Sequence, residues 1–124
     1  MRIIFSIFLF LHGIAHLVGF LVPWQIVKMD DMPYKTTLFL DKINIGDIGI
    51  RIIGIIWLLI ALAFCYAGWI TFYRMDYCLT CTLTVTIISL VFCIVAIPDS
   101  HIGIYINIIL IILYYLNSHF QWLN

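Results

Sequence analysis

Four long apolar runs decide what this chain can become. They cover residues 3–22, 48–70, 77–97 and 102–116, most of a 124-residue sequence. The first three reach the roughly 20 residues that a helix needs to cross a hydrocarbon core. The fourth reaches that length by continuing past Asn117, with Trp122 at the interface. Each run is too long for a strand and has no alternation of period two. Composition agrees. With 65% hydrophobic residues, 10% charged and a mean hydropathy of +1.18, the chain lacks the polar surface of a soluble domain. The expected fold is an all-α integral membrane four-helix bundle, a single transmembrane domain over 1–124. Its helices are expected at about 3–22, 48–70, 77–97 and 102–120, with a long loop at 23–47 and both termini on one side.

A competing reading takes Arg2, the apolar stretch after it and Gly13-Ile14-Ala15 as a signal peptide with a small-residue cleavage site. His12 interrupts that apolar core, and the run continues to Val22 without a polar break. The first run is therefore read as a membrane helix.

The side that holds the termini (side A) carries Arg2 and Arg74. The opposite side B carries Lys28, Lys35, Lys42 and Arg51. A positive-inside count favours side B as cytoplasmic, but Arg51 falls within the second helix, and the bias without it is three against two, so orientation stays open. The formal net charge is zero, which removes any argument for nucleic acid or for strong attraction to anionic lipid. The first loop has Pro23 and Pro33 as helix stops and Trp24 and Tyr34 as interfacial anchors. Its stretch "YKTTLFL" is either a short extended segment or an interfacial helix. The third loop, "PDSH", is short enough to make the last two helices an antiparallel pair.

Helical periodicity sorts the polar residues by face. His12, His16 and Gly19 share a stripe on the first helix. Asp47, Arg51, Gly54, Ala61, Cys65 and Gly68 share one on the second. Cys78, Thr82, Ser89 and Cys93 cluster on the third, and Gly103, Asn107, Tyr114 and Ser118 on the fourth. Small and polar faces pack in lipid, because they let backbones approach and let polar groups find partners. Isoleucine and leucine then face outward. Alternating helix direction brings His12, His16, Asp47, Arg51, Asp99 and Asn107 to the side-B half of the bundle. An ionisable group in hydrocarbon is costly unless it pairs or reaches water, so one shared polar pocket is expected.

Four chemistries compete for that pocket. In the first, Arg51 holds a carboxylate or phosphate, Asp47 orients it, His12 and His16 carry a proton or touch the ligand, and Asn107 positions it. This suits a protein that binds or transports a small polar or anionic ligand. In the second, the same residues are interhelical hydrogen-bond partners, and Asp47 and Arg51 form an i, i+4 ion pair. The protein is then a non-catalytic accessory or assembly subunit. A metal is the third. His12 and His16 at i, i+4 present two imidazoles on one face, but "HGIAH" lacks the glutamate of zinc peptidases and needs Asp47 or Asp99 as a third ligand. Thiol redox chemistry is the fourth. "CLTC" places Cys78 and Cys81 at a helix start, where thiol pKa values fall, but the second pair such exchange requires is missing. Binding rather than catalysis is expected. The cofactor is left unknown, and the partners expected are the lipid bilayer and either a second copy of the chain or a membrane complex.

The segments "LHGIAHLVGFLVPW", "DIGIRIIGIIWLLIALAF" and "IPDSHIGIYINIILI" together resemble a family of small bacterial four-helix membrane proteins, loosely labelled as transporter permeases. The resemblance falls on His12, His16, Gly19, Pro23, Trp24, Asp47, Arg51, Gly54, Trp57, Pro98, Gly103 and Asn107. In size and helix pattern the chain is also distantly similar to DoxX-like proteins, which are tied to quinone or sulfur redox chemistry. The resemblance implies a multi-pass protein of the bacterial inner membrane and supplies no reaction.

Overall fold

The structure is a computed structural model and describes residues 1–123. It is helical, with α1 (Arg2–His16), α2 (Val18–Leu21), α3 (Gly46–Phe72), α4 (Cys78–Val95) and α5 (His101–Phe120), plus a two-stranded ribbon of β1 (Thr37–Leu38) and β2 (Ile43–Asn44). Four segments are long and apolar enough to cross a membrane: Arg2–Leu21, Gly46–Phe72, Cys78–Val95 and His101–Phe120. They follow the four apolar runs to within about two residues at most ends.

The first segment is two helices in series. At Leu17 the amide bonds Ile14 rather than Gly13, so one tightened turn separates α1 from α2. Pro23, which has no N–H, closes the segment soon after. At 27 residues α3 is roughly 40 Å long, more than the roughly 30 Å of a hydrocarbon core.

Within 34–40, which the sequence leaves as extended or helical, Thr37 and Leu38 are extended and form one strand of the ribbon, and Phe39 and Leu40 begin its turn. Thr37 pairs with Asn44 and Leu38 with Ile43. At its tip Phe39, Leu40 and Asp41 all take positive φ, between 51° and 61°. That conformation is costly for residues with a Cβ. Two backbone bonds offset the cost, from Phe39 N to Val95 O at 2.7 Å and from Leu40 N to Ile97 O at 3.1 Å. These carbonyls lie at the end of α4, where no helical partner remains for them. The Thr37 hydroxyl also donates to Asp41 at 2.5 Å.

Helix α1 packs on α3, α3 on α4, and α4 on α5. Glycines set the closeness of α1 and α3. A Cβ on Gly13 would stand 2.8 Å from the Ala61 carbonyl, and one on Gly68 would stand 3.0 Å from the Phe10 ring. Across the same contact, Ser6 Oγ donates to the Gly68 carbonyl at 2.6 Å. The core between the helices holds Phe5, Leu9, Ile60, Phe64, Val85 and Leu110. Isoleucines and leucines such as Ile4, Leu62 and Ile112 face outward, as expected in lipid. Between α5 and α1 the ring of helices is not closed by direct packing along its length. At the end that holds the chain termini (end A), Trp122 meets Phe5 edge-on at 5.9 Å and shuts the seam. At the opposite end B the seam stays open, and the candidate site lies there.

Candidate functional site

His12 and His16 project from the last turns of α1 into the bundle, and both are buried. Asn107 comes from the second turn of α5, and Ser89 and Cys93 from the end-B half of α4. These side chains form a ring of hydrogen bonds and close contacts. Asn107 Nδ2 donates to Ser89 Oγ at 2.9 Å and makes a longer contact with Cys93 Sγ at 3.5 Å. His12 Nε2 lies 3.3 Å from Asn107 Oδ1 and 3.2 Å from His16 Nε2. Ser89 Oγ lies 3.0 Å from His16 Nε2.

With the amide oriented this way, His12 carries its proton on Nε2 and donates to Asn107 Oδ1, while its approach to His16 Nε2 is a close contact rather than a second full bond. His16 carries its proton on Nδ1 and accepts at Nε2 from the Ser89 hydroxyl. Such a ring is accommodated among apolar groups in its uncharged form, which leaves no unpaired charge. Aromatic rings hold the imidazoles in place. His16 stacks on Trp57 at 5.1 Å and lies near-parallel to Phe64 at 5.4 Å, while His12 meets Phe64 edge-on at 4.6 Å. Gly19 makes room for this stack, because a Cβ there would stand 2.5 Å from the Trp57 ring.

Beside the ring is a cavity of about 240 Å³ at the end-B part of the seam between α1 and α5. His12, His16, Cys93, Asp99 and Ser100 supply its polar wall, and Trp57 with small or aliphatic residues supplies the rest. Ala15 and Ile102 line it and are exposed on the outer surface of the helices, so the cavity opens sideways. On the end-A side of the ring the core holds Leu9, Phe64 and Leu110, all nearly inaccessible, and the cavity does not extend to them. Toward end B it meets the first loop through Met32, and a narrow second cavity of about 50 Å³ continues beneath that loop.

Of the six residues expected to share one pocket, the structure brings together His12, His16 and Asn107. Asp99 joins the same cavity from its rim, where it pairs with Lys35 at 3.1 Å. Asp47 and Arg51 are elsewhere. Both are exposed. Asp47 accepts a short hydrogen bond from the Tyr34 hydroxyl. The Arg51 guanidinium lies 5.6 Å from the centre of the Trp24 ring, and the Trp24 indole donates to the Arg51 carbonyl at 3.1 Å. Among the described residues Asp47 and Arg51 form no ion pair. The reason is their level: near the end of a helix that overshoots the apolar layer, a charged head gains more from water and an aromatic face than from burial.

The remaining expectations are placed as follows. No group of three or more His, Cys, Asp or Glu is gathered as a metal site among the described residues. His12 and His16 have Asn107 and Ser89 as neighbours where a carboxylate would be needed. Cys78 and Cys81 lie in the first turn of α4 at end A, away from the ring, and all four cysteines are free thiols.

Ser89, Trp57 and Lys35 belong to the site and were not among its expected members. Depth was the available signal for Ser89. It stands nine residues before Pro98, His16 seven before Pro23, and Asn107 six past His101, so all three lie at similar depth.

In the first loop, the hydrogen bond to Asp47 holds the Tyr34 phenol above its ordinary pKa. The Thr37 hydroxyl, and after it the Lys35 ammonium at 3.6 Å, hold the Asp41 carboxyl below its own. Lys35 is therefore shared between Asp41 and Asp99, which leaves no free cation beside the cavity. No protein-family model, curated protein or solved structure matches the chain.

Proposed function

We propose that this protein is a multi-pass membrane protein of the bacterial inner membrane whose His12, His16 and Asn107 ring forms one wall of a binding site for a small uncharged amphiphile. The supporting observation is the cavity. Two imidazoles that served only to join helices would need no open space of about 240 Å³ beside them. The volume is a little under the usual range for small-molecule sites, which suits a small molecule or the head of a longer one. Its sideways opening suits entry from the bilayer. The anionic ligand that the sequence suggests is disfavoured, since Arg51 is outside the site and Lys35 is already paired. A neutral carbonyl or hydroxyl compound with an apolar body fits the mixed wall better. Closure toward end A favours binding over passage. The resemblance to small bacterial four-helix membrane proteins is part of this proposal, as is self-association or docking into a membrane complex.

A second reading has its own support. The Nε2 atoms of both histidines, the Asn107 amide and the Ser89 hydroxyl are bonded to one another across three helices, which is what polar groups joining helices in an accessory subunit would do. Ala15→Trp separates the two readings, because it fills the mouth of the cavity and leaves the ring intact. Protein purified in mild detergent is extracted, and retained small molecules are identified by mass spectrometry. The binding reading expects a compound retained by wild type and lost from folded Ala15→Trp. The same inventory in both proteins sinks it in favour of the accessory reading.

A further inference from the structure

A second site stands at end A, independent of the histidine ring. Arg2 and Arg74 both line a cavity of about 160 Å³ between the start of α1, the turn after α3 and the start of α4. Arg2 Nε is enclosed by protein, and it is the one buried side-chain nitrogen or oxygen without a hydrogen-bond partner among the described residues. A guanidinium keeps its charge at any pH a protein meets, and an enclosed donor without an acceptor is costly. Asp76 is in the same wall and balances one of the two cations. Neither arginine reaches ion-pairing distance of an acid among the described residues, where Lys35 makes both ion pairs. The surroundings also favour negative charge. Arg2 and Cys78 open α1 and α4, and neither helix start has a side-chain cap. Arg2, Cys78 and Leu79 line the cavity, so the positive dipole ends of α1 and α4 lie at it, although the Cys78 amide itself bonds the Met75 carbonyl at 3.0 Å.

We infer that this cavity is a site for a phosphate group, held by the guanidinium of Arg2 from one side and that of Arg74 from the other. Two guanidinium groups reaching one cavity from a helix start and a turn suit a tetrahedral oxyanion better than a planar carboxylate, because each finds its own oxygen. The group has two possible sources, a phospholipid headgroup and free phosphate. The level favours the headgroup, since Tyr73, Tyr77 and Trp122 gather at this end and aromatic residues mark the membrane interface.

The test is native mass spectrometry of the full chain in mild detergent. One arm adds phosphatidylglycerol and the other inorganic phosphate, for wild type, Arg2→Gln and Arg74→Gln. Wild type should retain adducts, and each substitution should weaken them by about tenfold, the loss of a charge-assisted bond. Preferential lipid adducts that depend on the arginines assign the headgroup. Phosphate adducts that depend on them, without a lipid preference, assign the free anion. Arg74 is exposed, so Arg74→Gln leaves the fold intact and carries the test if Arg2→Gln does not fold. Adducts of unchanged strength in Arg74→Gln, or no adduct to wild type in either arm, overturn the inference.

Discussion

Asn107→Leu removes the residue that joins α5 to both α1 and α4. Leucine keeps the branching of asparagine at Cγ but is bulkier, and Asn107 is fully buried, so overpacking adds to the polar loss and the polar count is a lower bound. Two bonds disappear, to His12 at 3.3 Å and to Ser89 at 2.9 Å. Interhelical hydrogen bonds in membrane proteins average about 0.6 kcal/mol, so the pair contributes about 1 kcal/mol. The His12 N–H then keeps only the contact with His16, and a poorly satisfied buried donor adds roughly 1–2 kcal/mol. The expected loss is at least about 2–3 kcal/mol. Ser89→Ala should lose about 1 kcal/mol by the same count, because the Asn107 amide keeps its contact with Cys93 and His16 keeps His12. The assay is reversible unfolding by sodium dodecyl sulfate in mixed micelles. Tryptophan fluorescence reports it, since Trp57 stacks on His16. Asn107→Leu within about 0.5 kcal/mol of wild type, the scatter of ordinary surface changes, would refute the ring as a joint between helices. So would Ser89→Ala costing more than Asn107→Leu.

Three further outcomes follow from the geometry. Arg51→Leu should lose less than about 1 kcal/mol, the worth of an exposed cation–π contact, and leave any retained ligand unchanged; the same micelle titration and mass inventory check both halves. Gly13→Ala should cost roughly 1–3 kcal/mol in that titration, because the new methyl meets the Ala61 backbone rather than a movable side-chain end; a neutral result would mean α1 and α3 are not in this close contact. The Asp41 carboxyl has its pKa lowered on folding, so its contribution to the ribbon is full above the unfolded value of about 4 and is lost as pH falls through the folded one. Amide exchange at 37–44, corrected for intrinsic rates, should therefore hold steady from neutral pH to about pH 5 and rise below about pH 4, and Asp41→Asn should remove that rise.

The helices were legible because length and apolarity act locally. A run of some twenty apolar residues has few other outcomes, and all four segments lie where their runs do. The break at Leu17 was not legible, since nothing in "AHLVG" marks a helix that tightens for one turn. On α3 the stripe of 47, 54, 61 and 68 repeats every seven residues, and a straight helix drifts about 20° per heptad from such a repeat. Gly54, Ala61 and Gly68 are inside, but the end of the stripe turns outward with Asp47 and Arg51. Trp57 and Phe64 occupy the interior position that the polar pair was expected to take. His12, His16 and Asn107 could be grouped from the sequence because burial in lipid forces polar residues to seek one another. The partner of Asp99 could not, because Lys35 reaches it only through the path of the first loop, and that path depends on a ribbon two residue pairs long.

The ribbon tip separates two jobs that one residue usually has to combine. Phe39 and Leu40 grip the end of α4 through their amides, while both side chains are largely exposed. The attachment is thus indifferent to what the side chains are, provided the backbone can adopt positive φ. Polar replacements there would leave the loop fastened over the cavity and change only what the tip presents to its surroundings. One face of the same dipeptide is mortar for the fold, and the other is an apolar facet that the fold itself does not consume.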